Sequence, residues 1–338
     1  MMIKVGINGF GRIGRLTLRA LLESSHKSIK IIAVNDIGDI NSNIHLLKYD
    51  SLHGTLKQKI QKITENSLEI NDEKIHFFSE KNPENLPWKD YDIDIVIEST
   101  GIFTKKKDAL MHINAGAKKV LISAPSPDPD ITVVYGVNEN LINNNHKIIS
   151  NGSCTTNCLA PIANIIDKKI GIKSGYMTTV HSVTGDQKTI DTFHKDLRRA
   201  RNSSLSMIPT STGAARAVGE VLPNLKGKLD GSAIRVPTAN VSLIDFCFIS
   251  KSETSENNIN EFLINASENE LKGILEISKE PLVSCDFNHN SHSSILDSTE
   301  TKVINKNFCR ILSWYDNEWG FSNRLLDITK KIFSKNDL

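Results

Sequence analysis

The chain has 338 residues with 41 basic and 39 acidic side chains, a formal charge of +2, and is 39% hydrophobic and 24% charged. Near-neutral charge with 6% aromatic residues argues against a dedicated nucleic-acid partner, and the length leaves room for two domains with separate cores. No run approaches the ~20 apolar residues that cross a bilayer, so no membrane partner is expected. The N-terminal "MMIKVGINGFGRIGR" lacks the apolar segment and cleavage site of a secretion signal, and five scattered cysteines suit a reducing compartment, so the expected location is cytoplasmic.

"IKVGING" reads as a short buried strand that runs into Gly9-Phe10-Gly11-Arg12-Ile13-Gly14, a G-x-G-x-x-G, with a helix opening at Gly14. A second strand, "IKIIAVND", ends in Asp36. This is the pattern of a βαβ dinucleotide site: glycines allow a tight turn and close backbone approach, the helix N-terminus takes the pyrophosphate, and the acidic residue takes the ribose hydroxyls. Asp36 would repel a 2′-phosphate, so NAD is favoured over NADP. "IDIVIEST" and "AKKVLIS" continue as strands around a helical "GIFTKKKDALMHINAGA", which predicts an α/β fold with a doubly wound, mostly parallel sheet. Lys105-Lys106-Lys107 reads as a solvated helix surface. After the break at "SAPSPDPD", "ITVVYGV" and "HKIIS" are expected to be strands, closing the nucleotide domain near Asn151.

"IISNGSCTTNCLAPIANII" then presents Cys154, open to reading as a nucleophile, half of a disulfide, a metal ligand or a small buried residue. Ser153 is a plausible N-cap, and Leu159, Ile162 and Ile166 share a helical face, with Pro161 a possible bend. In the first helical turn, unpaired N–H groups and the helix dipole would lower the thiol's pKa. Two cysteines alone do not make a metal site, so none is expected, and Cys158 reads as a small buried residue. The polar neighbours of Cys154 favour a site for an anion or oxyanion. "GYMTTVHSVTGDQ" offers His181 as one candidate base among ten histidines.

"INGFGRIGR", "HLLKYDSLHG", "NGSCTTNCLAP", "TTVHSVTGDQ", "HKDLRRAR", "PTSTGAARAVGEVLP", "IRVPT" and "WYDNEWGFSNR", in order from Val5 to about Lys330, resemble the phosphorylating glyceraldehyde-3-phosphate dehydrogenase family. The resemblance implies a Rossmann domain over residues 1–152 and an α+β catalytic domain over 153–318. A C-terminal helix over 319–338 would return to the nucleotide domain. It implies NAD as cofactor and a thioester route in which Cys154 attacks the aldehyde, His181 acts as base and inorganic phosphate releases the acyl group. The backbone of Arg12 and Ile13 would hold the pyrophosphate, with Asn8 beneath and Ser99, Thr100, Gly101 and Ser123 lining the cleft. Asn317 would bind the carboxamide, with Tyr315 as a supporting neighbour.

By motif position, Thr184 and Arg235 resemble the subsite for the substrate's own phosphate. Ser153, Thr155, Thr212 and Gly213, with Arg199 nearby, resemble that for attacking phosphate; hydroxyls, N–H groups and guanidinium are natural ligands for both. Residues 182–207 resemble a loop that reaches a neighbouring subunit, implying a homotetramer. Gly152, Val183, Gly185 and Thr192-Phe193 depart from the usual family residues, the last pair at a position that helps exclude NADP. The alternatives are an erythrose-4-phosphate dehydrogenase and an NADP(H)-preferring form; the intact "STGAA" (Ser211 to Ala215) favours a site for inorganic phosphate.

Overall fold

A computed structural model describes residues 2–24 and 26–334. The chain divides into two compact units, Met1–Val133 with Glu139–Ser153 and Ser322–Leu338, and Val134–Asn138 with Cys154–Phe321.

The first unit is built on a nine-stranded sheet. In chain order it carries β1 (Ile3–Asn8), α1 (Arg12–Glu23), β2 (Ile29–Asn35) and α2 (Ile40–Lys48). A small ribbon follows, β3 (Tyr49–Asp50) with β4 (Gly54–Thr55). Then come β5 (Ile60–Thr64), β6 (Ser67–Ile70), β7 (Glu73–Phe78), β8 (Ile95–Glu98), α3 (Lys106–Asn114), β9 (Lys119–Ile122), β10 (Ile131–Thr132) and β11 (Ile148–Ser150). The order β10-β11-β9-β8-β1-β2-β7-β6-β5 is parallel through β7 and ends in an antiparallel meander of β7, β6 and β5. The strand order reverses on either side of β1, the crossover at which doubly wound sheets bind ligands. Central strands are covered on both faces and read as unbroken apolar runs; all four residues of β8 are buried.

Three expectations need correction here. Helix α1 starts at Arg12, with Gly11 as N-cap, rather than at Gly14. "ITVVYGV" supplies only the two-residue β10, because Val134–Asn138 belongs to the other unit, where the Asn138 side chain accepts the Val134 N–H at 2.8 Å. The helix expected from Gly101 begins only at Lys106, since Gly101 stands at φ +73°, a turn conformation suited to glycine.

The second unit holds α4 (Cys154–Ile170), β12 (Ile172–His181), β13 (Ile208–Ser211), α5 (Ala214–Val221), β14 (Leu229–Arg235), β15 (Ser242–Ser250), α6 (Glu256–Glu268), β16 (Leu275–Ser278), β17 (Ser294–Asp297), β18 (Lys302–Ile304) and β19 (Phe308–Tyr315). Its sheet runs β13-β14-β12-β15-β19-β17-β16, with β18 pairing on β19. Strand β12 is bordered by β14 in parallel and β15 antiparallel. Helices α4, α5 and α6 cover the sheet's apolar face in one core with Met177, Ile244, Phe246, Ile311 and Tyr315. Helix α4 continues through Pro161, which lacks only one ladder N–H; residues Thr155 to Ile166 are all buried, so packing compensates the lost bond. Helix α7 (Trp319–Ile332) closes the chain.

Candidate active site

In the first unit the glycine motif separates into three physical jobs. Gly9 stands at φ +90°, and a Cβ there would lie 2.7 Å from the Thr100 nitrogen. A Cβ on Gly14 would lie 2.2 Å from the Gly9 carbonyl oxygen, so α1 sits against the strand end only because that atom is missing. Gly11 faces open space, with nothing within 4 Å. Packing fixes the first and third glycines, and the second leaves the α1 N-terminus open to an anion.

That opening forms part of a cleft of about 540 Å³ lined by Asn8, Gly9, Gly11, Asn35, Asp36, Ile37, Glu80, Lys81, Ser99, Thr100, Ile102 and Phe103. Six of these were singled out by sequence: Asn8, Gly9, Gly11, Asp36, Ser99 and Thr100. Ile102 is 71% exposed, an apolar surface available to a ring system. Asp36 stands at the end of β2, where its two carboxylate oxygens accept the Phe10 N–H at 2.7 Å and the Gly38 N–H at 2.8 Å. Each oxygen keeps acceptor capacity for a ribose hydroxyl. A narrow glycine-lined approach, a free helix N-terminus and an acidic strand end together fit a dinucleotide.

Arg12, Ile13, Gly14, Gly101 and Ser123 do not line this cleft. The Arg12 side chain turns to Asp50, with Nη1 2.5 Å from Oδ2. Burial alone would raise the Asp50 carboxyl; Arg12 and the His53 and Leu52 N–H groups outweigh it and hold it down at about 2. Asn35, Ile37, Glu80, Lys81, Ile102 and Phe103 were missed by sequence reading. Of these only Asn35, adjacent to Asp36, carried a signal; its amide donates to the Glu80 carbonyl at 2.9 Å and its oxygen accepts the Glu80 N–H at 2.8 Å.

In the second unit Cys154 is the first residue of α4 and His181 the last of β12, and Cys154 Sγ lies 3.6 Å from His181 Nε2. Sheet register brings the remaining partner: Arg235, at the end of β14, pairs directly with His181 across the ladder. His181 Nδ1 is 2.7 Å from the Ser182 carbonyl oxygen; in the tautomer that donates this bond the proton is on Nδ1 and the Nε2 lone pair faces the thiol. Arg235 Nη1 donates to the same carbonyl at 3.2 Å and lies 2.7 Å from Nδ1. Burial and then this guanidinium pull His181 down to about 3, so the ring is neutral.

The thiol's direction corrects the helix-end expectation. Burial pushes Cys154 up, against Arg235 and the Thr155 hydrogen bonds, and the net shift is upward. The resting pair is therefore thiol and neutral imidazole, with the proton able to move along one short path. Cys154 and Cys158 are both free thiols, and Cys158 is buried with its Sγ 3.5 Å from Ser294 Oγ, its thiol pushed up to about 12 by burial. No cluster of metal-ligating side chains occurs among the described residues.

Tyr315 is 1% exposed, and its hydroxyl joins Thr155 Oγ1 at 2.8 Å and Thr179 Oγ1 at 2.9 Å while its ring stands edge-on to His181. The Thr155 hydroxyl is thus shared between Tyr315 and the Cys154 sulfur, and its backbone N–H, in the first turn of α4, lies beside the same sulfur. Asn317 Oδ1 accepts the Ser182 hydroxyl at 2.8 Å and the Ser242 hydroxyl at 2.9 Å, which fixes its amide. Arg199 is engaged by Asp186 Oδ2 at 2.8 Å and Thr210 Oγ1 at 3.0 Å. Thr184 donates its N–H to Gln187, Thr212 Oγ1 accepts the Ala214 N–H at 3.2 Å, and Gly213 caps α5. Ser153 belongs to the first unit and directly precedes Cys154; before it Gly152 stands at φ +63°, where an alanine would be strained.

Comparison with known proteins agrees with both halves. Residues 3–106 match the family model "Glyceraldehyde 3-phosphate dehydrogenase, NAD binding domain", and residues 153–317 match "Glyceraldehyde 3-phosphate dehydrogenase, C-terminal domain". The chain is 53% identical to the glyceraldehyde-3-phosphate dehydrogenase of Xanthobacter flavus over 327 residues, 97% of each chain. It is 52% identical to glyceraldehyde-3-phosphate dehydrogenase 1 of Bacillus cereus over 335 residues, 99% of each. It is also 52% identical to the Geobacillus stearothermophilus protein over 336 residues, 99% of each.

Proposed function

The chain belongs to the glyceraldehyde-3-phosphate dehydrogenase family, oxidoreductases with an NAD-binding domain, and on that premise we propose that it oxidises D-glyceraldehyde 3-phosphate to 1,3-bisphosphoglycerate with uptake of inorganic phosphate. The observation that carries this reading is the 3.6 Å approach of Cys154 Sγ to His181 Nε2. An oxidation that only moves a hydride needs no nucleophile; one that stores its energy as an acyl phosphate does.

His181 Nε2 takes the thiol proton as Sγ bonds to C1 of the aldehyde, then returns it to the carbonyl oxygen to give a thiohemiacetal. It next removes that hydroxyl proton as the C1–H bond breaks, leaving a thioester on Cys154. Asn8, Gly9, Gly11, Asp36, Ser99 and Thr100, with the backbone of Arg12 and Ile13, would hold NAD, which would supply the hydride acceptor. A phosphate oxygen then attacks the thioester carbon, the C–S bond breaks, and the departing sulfur recovers its proton from His181.

Thr184 and Arg235 would hold the substrate's own phosphate, placing Arg235's charge beside the base it already touches. Ser153, Thr212, Gly213 and the Thr155 N–H would hold attacking phosphate, with Arg199 released from Asp186 to assist. Asn317 would hold the carboxamide. We assign residues 1–152 as the nucleotide domain, 153–318 as the catalytic domain and the segment 319–338 to the former through its helix α7, Trp319–Ile332; residues 335–338 of that segment lie outside the described residues. Assembly as a homotetramer is what the family resemblance implies, and contact with a neighbouring copy is supported by the apolar side chains on the 182–207 loop: Phe193, Leu197, Leu205 and Met207 are each at least 74% exposed. An exposed free thiol at Cys285 suits the cytoplasm.

The test is NADH formation at about 340 nm from glyceraldehyde 3-phosphate and NAD, with and without inorganic phosphate. Turnover that requires phosphate is expected, with a burst of about one equivalent per subunit in its absence. Turnover only with erythrose 4-phosphate, or only with NADP, would replace this reading.

A further inference from the structure

Glu98 and His112 are both fully buried in the first unit, side chains 0% exposed, and neither takes part in the proposed reaction. They form the inner end of a directed hydrogen-bond chain. Trp88 Nε1–H donates to His112 Nδ1 at 3.0 Å, so that nitrogen is an acceptor and the ring proton lies on Nε2. Nε2–H then donates to Glu98 Oε2 at 3.0 Å. The same oxygen accepts the Asn8 side-chain amide at 2.6 Å. Glu98 Oε1 accepts the Thr100 N–H at 2.8 Å and also the Thr100 hydroxyl. Four donors therefore meet two oxygens, and two of the donor residues, Asn8 and Thr100, line the cleft.

The arrangement extends to the glycine motif. Ser99, between Glu98 and Thr100, donates its hydroxyl to the Gly9 carbonyl at 2.7 Å. The 98–101 turn and the 8–11 turn are thus clasped, with Glu98 fixing one side and Asn8 bridging to Asn35 at 2.7 Å on the other. We infer that Glu98 is a positioning residue for the dinucleotide: held by His112, it sets Thr100 and Asn8 in the geometry that NAD meets. This rests on the cleft being the NAD site.

The test is calorimetric titration of the full-length protein with NAD, beside thermal melts without NAD. In Glu98→Gln the amide group must face either the two Thr100 donors or the Asn8 and His112 donors, and NAD affinity should fall about tenfold or more. Leu68→Ala, which opens a buried position of β6 away from the cleft, should lower the melting temperature yet bind NAD as the wild type does. His112→Gln keeps an acceptor for Trp88 and a donor for Glu98 and should stay within about threefold of wild type, whereas His112→Leu should match Glu98→Gln. Wild-type affinity in Glu98→Gln, or equal losses in Leu68→Ala and Glu98→Gln, would reduce the network to a structural brace and overturn the inference. A wild-type protein that binds no NAD would remove both this inference and the assignment of the cleft.

Discussion

Replacing His181 by asparagine tests the proton path at its centre. In the wild type the ring, drawn down to about 3 by burial and by Arg235, is unprotonated throughout the neutral range, and Nε2 waits 3.6 Å from the sulfur. Without it the thiol must ionise to water. Cys154 is raised above an ordinary value of 9.0, so at pH 7 no more than about 1% is thiolate. Loss of the base should therefore slow acylation at pH 7 by about a hundredfold or more, within the range of general-base deletions. The deficit should shrink about tenfold per pH unit towards pH 9, as hydroxide supplies the thiolate. The assay is the burst of NADH in the absence of phosphate, which reads acylation alone, followed from pH 6.5 to 9.5. Wild type should show no acid limb from His181 in that window. A constant ratio of wild type to His181→Asn across it would refute the role of His181 as acceptor of the thiol proton.

Cys154→Ser should abolish oxidation while leaving the calorimetric affinity for NAD unchanged, because the cleft residues all lie in the other unit. Gly14→Ala would place a Cβ 2.2 Å from the Gly9 carbonyl oxygen, so α1 must shift; NAD binding should weaken by more than tenfold in titration, with a lower melting temperature. Asp50→Asn should cost about 2 kcal/mol of stability at pH 7, from a carboxyl held at about 2 against an ordinary 3.8. Because the folded-state value is depressed, that contribution is present above pH 3.8 and is lost as pH falls towards 2, so denaturant melts of the two proteins should converge below pH 4.

The parallel half of the first unit was legible because its strands are buried on both faces and its turn chemistry is local. "IKIIAVND" and "AKKVLIS" show as apolar runs, and the glycine spacing encodes a turn that needs no distant partner. The β5–β6–β7 meander was not legible. Its first strand, "IQKIT", has no buried residue, so no alternation marks it. Lys81 and Phe103 join the cleft from the loops after β7 and β8, brought together by strand order, which periodicity does not carry. In the second unit Cys154 announced itself by its polar setting at a helix start. His181 could be chosen among ten histidines only through family resemblance, because what singles it out is the β12–β14 register that sets Arg235 beside it. The thiol's direction was misread for a related reason: a helix end is visible in sequence, but the depth of its burial is not.

Strand β12 is the seat of His181, and it is hydrogen-bonded along both edges in the interior of its sheet. Amides in such a strand exchange with solvent only when the whole unit opens, so partial breathing of the sheet should leave the imidazole's reach to sulfur unchanged. Warming should then leave catalytic competence per folded molecule intact almost to the melting point, where it disappears in one cooperative step. Ser182, just past the end of that strand, is tied in with it, since its carbonyl holds His181 Nδ1 at 2.7 Å and its hydroxyl donates to Asn317; only the loop beyond that residue is free to be remodelled for a different neighbour without detuning the proton transfer.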